Sequence, residues 1–444
     1  MTSSALPTSA AQPSAQPSAQ SSIQSANQKP ATIRTQLPNG LTLIAVENPI
    51  ADIISARIYI KAGQFCETAE TAGLFDLLTA VLVKGTAAKS ALEIAEVVES
   101  MGASFGADVA SDYSLVSMKT VSADFEKMLA LAAEVLRQPS FAENEIELER
   151  KLILQGLRSM KEQPFGVAYN HLREALFAGH PYGIPYVQTE RQIAKFTRDD
   201  IKQAHETYFR PDNMVMTVVG RISPKLAVKL AEQYLGDWAK PNAPLPQVTF
   251  PDVPVAAHKI VTPQQTNQAF IVLGYLADSV SGPDYAALKL MSTYLGNGLS
   301  SRLFVELREK QGLAYDVSAF YPTRLGRSQF VAYIGTAPQN LPTALKGLQS
   351  ELERLKTTPL TAEELQVAKN KMLGQYALSK QTNGQIAQTY GWYETIGLGM
   401  AFDETFPALI NAVTIEDIQA AARRCFTEQS VSILGPDDAV SAFV

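Results

Sequence analysis

Two amphipathic segments in the first half of the chain recur in the second half at nearly the same spacing. The segment from Phe141 to Gln155 matches the segment from Leu360 to Gly374 in hydrophobic phase, 219 residues later. Phe196 to Ala204 matches Val413 to Ala421, 217 residues later. Similar offsets at two places favour a duplicated unit over a chance likeness of amphipathic helices. Two copies are too few for a solenoid, so we expect two similar domains that face one another.

Strand and helix patterns are interspersed along the chain, which predicts an α+β fold. Asn39-Gly40 is a strong turn signal inside a hairpin from Gln36 to Val46, and the Ile-rich run from Ile53 to Ala62 alternates as a strand does. Further strands are expected over 112–121 and 213–220. Helical periodicity is present over 70–83, 90–101, 123–137, 142–161, 167–177 and 198–208.

Composition sets the expected domain boundaries. Residues 1–32 form a leader rich in Ser, Ala, Gln and Pro, and the first 28 residues carry no charged side chain, so we expect this leader to be disordered. Residues 33–239 form the first domain. Five prolines interrupt the stretch before 257 and forbid a continuous helix or central strand, so 240–257 is interpreted as an extended linker. Residues 258–444 form the second domain.

Charge and cysteine content exclude several classes of function. The chain of 444 residues has a formal net charge of −6, which argues against non-specific binding of nucleic acid. It has two cysteines far apart in sequence, so a disulfide framework is not expected and a reducing compartment is favoured. No apolar run approaches the roughly 18 residues that span a bilayer. Together with the lack of a secretory or transit-type start, these features predict a cytoplasmic location.

Six short pieces occur in a fixed order along the chain. They are Leu37-Pro-Asn-Gly-Leu, Glu67-Thr-Ala-Glu-Thr-Ala-Gly-Leu, Lys84-Gly-Thr, Gly179-His-Pro-Tyr-Gly, Tyr208-Phe-Arg-Pro-Asp-Asn, and the run from Ser300 to Tyr315. In this order they resemble the pitrilysin/insulinase family of zinc metallopeptidases, in the shorter two-domain form that includes mitochondrial processing peptidase. The resemblance implies a pair of α/β sandwiches that form half of a clamshell. Two such chains, or one fused chain, would enclose a peptide-binding chamber.

The zinc motif of that family is degenerate here. Members that cut peptides carry H-x-x-E-H, in which two imidazoles one helical turn apart bind zinc and the glutamate is the general base. Alignment without gaps puts Asp76 and Ala80 at the histidine positions and Thr79 at the base. The third ligand, a glutamate, should fall near Leu154 to Gly156, where there is no acid. One carboxylate is too weak a ligand set for a catalytic ion, so we expect no metal in this chain.

A second part of the chemistry is retained. The resemblance implies that an arginine and a tyrosine of the second domain reach across the chamber to the scissile peptide, and Arg308 and Tyr315 match them. We expect Arg308 on a helix that starts near Ser300 and ends at Gln311-Gly312, and Tyr315 on the strand that follows. Guanidinium and phenol groups can stabilise the oxyanion of an attacked carbonyl without changing protonation state. Without the resemblance, the same two residues would be read as capping and packing groups.

These features lead to several hypotheses. The first is a non-zinc subunit of a heterodimeric zinc metalloendopeptidase, which binds peptide while a zinc-bearing homologous partner supplies the metal. The alternatives are a non-catalytic scaffold and a peptide-binding homodimer that uses edge-strand addition. An autonomous protease conflicts with the degenerate motif. The glycines between Tyr294 and Ser301 lack the rest of a phosphate-loop pattern, so nucleotide binding is not favoured there.

Overall fold

The computed structural model describes residues 31–443, which form two β-sheets and their covering helices. The strands are β1 (Thr32–Gln36), β2 (Thr42–Glu47), β3 (Ile54–Ile60), β4 (Ser104–Val109), β5 (Ser114–Thr120), β6 (Met214–Gly220), β7 (Lys259–Pro263), β8 (Ala269–Ala277), β9 (Asp316–Phe320), β10 (Ser328–Thr336) and β11 (Ser430–Gly435). The helices are α1 (Leu74–Leu82), α2 (Ala91–Ser100), α3 (Phe125–Arg137), α4 (Glu143–Met160), α5 (Pro164–Leu176), α6 (Tyr186–Ile193), α7 (Arg198–Tyr208), α8 (Pro224–Leu235), α9 (Tyr285–Gly296), α10 (Leu341–Thr357), α11 (Ala362–Leu378), α12 (Asn383–Thr395), α13 (Phe402–Ala412), α14 (Ile415–Cys425) and α15 (Asp437–Val440).

The two sheets repeat one topology. The first sheet has the order β1-β2-β6-β3-β5-β4, and the second has the order β7-β11-β8-β10-β9. In each sheet one parallel pair, β2 with β6 or β7 with β11, is followed by antiparallel neighbours. Five strands of the first sheet therefore have a counterpart in the second, and β1 is an addition at one edge. The predicted duplication and the α+β fold of two similar units are confirmed.

Each half of the chain covers a sheet of the other half with one helix. Helix α5, from the first half, packs on β8 and β11, and helix α12, from the second half, packs on β3 and β6. These strands are equivalent in the two sheets. The opposite face of each sheet packs on helices of its own half, in two large apolar cores. The two units are therefore joined by a reciprocal exchange of equivalent helices.

At each of the two exchanged helices, a glycine allows backbone and side chain to approach closely. On α5, Leu172 and Leu176 lie over Gly274 of β8, where a Cβ atom would come within 2.7 Å and 2.8 Å of their methyl carbons. On α12, a Cβ at Gly391 would come within 2.3 Å of the ring of Tyr59 on β3. The Tyr59 hydroxyl donates to the carbonyl of Gln388 at 3.2 Å. Each exchanged helix thus fits a surface shaped by glycine at one position.

Several sequence predictions differ from the structure at their edges. The helix predicted over 70–83 begins at Leu74, because Gly73 has φ +83° and the left-handed conformation ends the preceding turn. Strand β4 was not predicted, since its polar positions and glycine hide the alternation. Strand β1 begins at Thr32, within the predicted leader, whose residues 1–30 lie outside the described part of the chain.

The proline-rich stretch contains no helix or strand, as its composition predicts. It is nevertheless packed, because Phe250 stacks on His180 with ring centroids 5.4 Å apart and Val253 is buried. The boundaries of the linker at 240 and 257 stay a prediction. None of the helices within residues 31–443 combines the length and apolar character needed to cross a bilayer.

The fit of α12 on the first sheet gives a test with a matched control. Replacing Gly391→Ala places a methyl group against Tyr59, and we expect a loss of about 1–3 kcal/mol of stability from overpacking. Gly374→Ala on α11 meets nothing within 4 Å and should gain about 0.5–1 kcal/mol from helix propensity. Thermal unfolding of the two variants beside the wild type measures both effects. Equal stability of the two variants would contradict the tight packing of α12 against Tyr59.

Candidate functional site

A buried carboxylate caps the helix that carries the degenerate zinc motif. The two carboxylate oxygens of Glu67 accept the backbone N–H groups of Gly73 and Phe75, each at 3.0 Å. Because the first N–H groups of a helix have no partner within it, this acid satisfies donors at the start of α1. Sequence reasoning missed this role of Glu67. Its signal was an acid six residues before the glycine at which the helix begins.

The motif positions lie on α1 as the alignment expects, but their side chains are not those of a metal site. Asp76 and Ala80, one helical turn apart, are both half-buried on the same face of the helix. Thr79 is 3% exposed, and its hydroxyl donates to the carbonyl of Phe75 at 2.8 Å. This hydroxyl is engaged within its own helix, so it is not available to activate water.

The position expected for the third ligand is Gly156 on α4, a helix that packs against α1. Gly156 is exposed, and a Cβ atom there would meet nothing within 4 Å. Lys84, two residues beyond the end of α1, forms an ion pair with Glu149 of α4 at 2.8 Å. Among residues 31–443 no group of three His, Cys, Asp or Glu side chains is placed to hold a metal ion.

Burial changes the protonation of the acids at α1. Desolvation raises the pKa of Glu67 to about 8; the nearby Asp76 carboxylate adds to the rise, while the backbone N–H groups at the helix start oppose it. Desolvation also raises the pKa of Asp76. Near neutral pH the two acids therefore hold less negative charge than two ordinary carboxylates.

A cavity of about 350 Å³ opens beside Asp76 and includes residues of both halves. Ile153 and Leu157 of α4 contribute apolar surface, and Arg324 and Gln329 contribute polar groups from the second half. Gln329 is 4% exposed and donates to the hydroxyl of Tyr169, whereas its carbonyl oxygen has no hydrogen-bond partner in the described chain. The degenerate motif is thus next to a partly polar cavity.

A cluster of polar groups joins the two halves at this cavity. The Tyr182 hydroxyl donates to the buried carboxylate of Asp112. The Arg324 guanidinium lies 3.8 Å from the same carboxylate and 5.5 Å from the centre of the Tyr182 ring. Sequence reasoning missed this cluster, because its members are far apart in the chain and share no motif spacing.

Arg308 and Tyr315 lie side by side on the surface of the second half. Arg308 belongs to a single π-helical stretch, Phe304–Glu309, rather than to the expected α-helix, and the N–H of Lys310 donates to the carbonyl of Val305. Such insertions are frequent at functional sites. Gly312, with φ +64°, ends this turn as predicted. Tyr315 directly precedes β9, and its N–H donates to the carbonyl of Gly335 at 2.9 Å.

The Arg308 side chain holds the backbone of Tyr315. Its Nη1 atom donates to the Tyr315 carbonyl at 2.8 Å, and the guanidinium lies 4.9 Å from the centre of the Phe304 ring. The Tyr315 side chain is 57% exposed. Neither residue lines the cavity beside Asp76. The structure therefore brings the arginine and tyrosine together and does not join them to the degenerate motif of the same chain.

Two equivalent sheet-and-helix units, with a remnant metal motif on the first helix of one unit, define a metallopeptidase-like protein. Two family models match in sequence order: insulinase (peptidase family M16) over residues 42–190 and the peptidase M16 inactive domain over residues 195–372. The chain belongs to the insulinase family. The resemblance inferred from the six sequence pieces is confirmed.

Similar proteins support the family and the fold. An uncharacterized zinc protease, YmxG, of Bacillus subtilis is 28% identical over 402 residues, which are 90% of this chain and 97% of that protein. The crystal structure of the peptidase M16 inactive domain from Pseudomonas fluorescens is 26% identical, with a TM-score of 0.84 over 91% of this chain and 98% of that chain. A protease from Helicobacter pylori, 23% identical, has the same fold, with a TM-score of 0.86 over 92% of this chain and 100% of that chain.

The acids at α1 give a prediction about pH. The folded chain retains on Glu67 a proton that the unfolded chain releases from about pH 4.5, so stability falls as pH rises towards the folded pKa of about 8. Asp76→Asn removes a charge that raises this pKa and also removes an acid whose own pKa is raised by desolvation. We expect the variant to gain on the order of 1 kcal/mol over the wild type between pH 5 and pH 8.

Unfolding midpoints at the two pH values test this expectation, with Asp108→Asn, at an exposed position of β4, as the control. The control should change equally at both pH values. If Asp76→Asn also shifts by the same amount at pH 5 and pH 8, the proposed coupling between the two acids is absent.

Proposed function

We propose that this chain is the non-zinc subunit of a heterodimeric zinc metalloendopeptidase. It binds peptide and stabilises the scissile carbonyl through Arg308 and Tyr315, while a homologous zinc-bearing subunit supplies the metal, its ligands and the general base. The observation that carries the proposal is an exposed arginine-tyrosine pair on a chain whose own motif offers one carboxylate, Asp76, at the metal positions.

The Arg308 guanidinium and the Tyr315 hydroxyl have hydrogen-bond donors that can contact a substrate. One guanidinium N–H of Arg308 is used on the Tyr315 carbonyl, and the other N–H groups have no acceptor within residues 31–443. The Tyr315 hydroxyl likewise has no hydrogen-bond partner within that range. Both groups are therefore free to donate to a partial negative charge brought by a bound peptide. Preorganised donors of this kind contribute about 3–4 kcal/mol each to the stabilisation of an oxyanion.

The position of the pair favours action on a site outside this chain. Because neither residue lines the cavity beside Asp76, the pair has no metal centre of its own to serve. A zinc site on a facing homologous subunit supplies one, as the resemblance of the sequence implies. The Bacillus relative is named a zinc protease, which is in keeping with peptidase chemistry in proteins of this length. The cytoplasmic location of the complex stays a prediction.

Mixing the purified chain with a zinc-bearing member of the family tests the proposal. We expect the chain alone to leave a fluorogenic peptide uncut and the mixture to cut it. Arg308→Ala and Tyr315→Phe should each lower kcat by about 10²–10³-fold, because each removes an oxyanion donor. Elemental analysis should find zinc in the mixed complex and none retained by this chain after dialysis.

Two controls separate catalysis from folding. Arg423 is also exposed and also donates to a backbone carbonyl, that of Lys356 at 3.0 Å, so Arg423→Ala is matched to Arg308→Ala. Tyr234→Phe removes a surface hydroxyl that donates to Glu126. Both controls should retain cleavage. Full activity of the Arg308 and Tyr315 variants in the complex would refute the proposal and leave the scaffold hypothesis.

A further inference from the structure

A second cavity, of about 480 Å³, lies between the first sheet and the beginning of α12. Its floor is one face of strands β3 and β5, where Ser55 is paired in register with Lys119 and Arg57 with Ser117. These four side chains point to the same face, because paired residues and residues two apart on a strand share a face. All four line the cavity.

The lining is positive, although the chain as a whole is acidic. No residue that lines this cavity carries a carboxylate. Asp52 belongs to the same loop as four lining residues but does not line the cavity itself. Within residues 31–443 neither Arg57 nor Lys119 forms an ion pair. The Arg57 Nε atom donates to the carbonyl of Gly384 at 3.2 Å, and its guanidinium lies close enough to the Tyr59 hydroxyl to lower the pKa of that phenol against the rise from burial.

The other wall is the N-terminal turn of α12, a helix of 13 residues. Thr382 and Gln385 cap each other, and the Thr382 hydroxyl accepts the N–H of Gln385 at 3.2 Å. The backbone N–H groups of Asn383 and Gly384 have no acceptor in the described chain and belong to residues that line the cavity. The side-chain amide of Asn383 donates to the carbonyl of Ile53 at 2.8 Å. The turn is therefore held against the sheet, with two N–H donors left over.

A buried hydroxyl is also left without a partner. Ser55 is 5% exposed, lines the cavity and has no hydrogen-bond partner within residues 31–443. A Cβ atom built on Gly384 would lie 3.4 Å from its oxygen, so the hydroxyl is next to the free N–H groups of the helix. The hydroxyl faces the cavity, so a group that enters the cavity can accept its hydrogen bond. The arrangement points to a ligand that accepts hydrogen bonds.

We propose that this cavity binds a phosphate group. Two cations, the Ser55 hydroxyl and two helix N–H groups belong to residues that line the cavity from the sheet and from α12. A tetrahedral oxyanion presents three or four acceptor oxygens to such donors, whereas a carboxylate has two, and helix N-termini favour anions. The site shares no lining residue with the cavity beside Asp76 and does not include Arg308 or Tyr315. Its function is thus separate from the proposed peptidase chemistry.

The location gives binding a structural effect. Ser55 and Arg57 belong to the first half of the chain, and the helix N–H groups belong to the second half, so a bound phosphate joins the two. A ligand that binds only the folded state raises its stability with concentration. Phosphate should therefore raise the unfolding temperature of the chain and stabilise the packing of α12 on the first sheet.

Titration of the full chain with inorganic phosphate tests the inference, by calorimetry and by thermal unfolding at constant ionic strength set with chloride. Phenyl phosphate, run in parallel, distinguishes a site for free phosphate from one for a phosphate ester. Lys119 is exposed, so Lys119→Gln should fold normally and weaken binding about tenfold or more through loss of a charged hydrogen bond. Ser55→Ala should weaken binding more modestly.

Lys259→Gln is the matched control, since Lys259 is an exposed strand lysine of the second sheet. It should bind phosphate as the wild type does. If neither phosphate nor its phenyl ester stabilises the wild type more than chloride does, or if Lys119→Gln and Lys259→Gln bind equally, the inference is wrong. Tighter binding of the ester than of inorganic phosphate would support a phosphorylated organic ligand.

Discussion

The exchange of helices α5 and α12 is the contact on which the rest of the molecule depends. Each helix covers an apolar sheet face of the other half of the chain. Leu172 of α5 packs against the second sheet, and Ala387 of α12 packs among Ile44, Val46 and Val219 of the first. Burial of this surface is the main favourable term at the junction. It fixes the two sheets relative to one another, and with them the cavities whose walls come from both halves.

Much of the fold could be predicted from the sequence, because it is written in local patterns. The Asn39-Gly40 turn connects β1 to its partner β2. The pattern Thr-x-x-Asp occurs at Thr197 and at Thr414, and it forms a capping box at the start of α7 and of α14. The exchange could not be predicted. The apolar positions of a helix indicate that one face is buried, but they do not say which sheet buries it. That choice depends on contacts between segments that are far apart in the chain.

Some features of the candidate site could likewise be predicted from the sequence, and others could not. The substitutions at Asp76, Thr79, Ala80 and Gly156 and the seven-residue spacing from Arg308 to Tyr315 are sequence facts. The first four lie on helices as expected, whereas Arg308 lies on a π-helical turn and Tyr315 just before its strand. The π-helical turn depends on the backbone, and no residue type announces it. The cap at Glu67 and the group around Asp112 depend on distances between separate segments. The residue types in these two groups are common, so only the folded structure shows that the groups lie close together.

The equal topology of the two sheets has a consequence for how such a chain can arise. Each half offers one protruding helix and one open sheet face, and the two features are complementary between halves. The pairing of the two halves is therefore the arrangement of a domain-swapped dimer, formed here within one chain. Joining the halves through the proline-rich stretch makes that pairing intramolecular. The two halves differ in their side chains: the first carries Asp76, Thr79 and Ala80 on α1, and the second carries the exposed Arg308 and Tyr315.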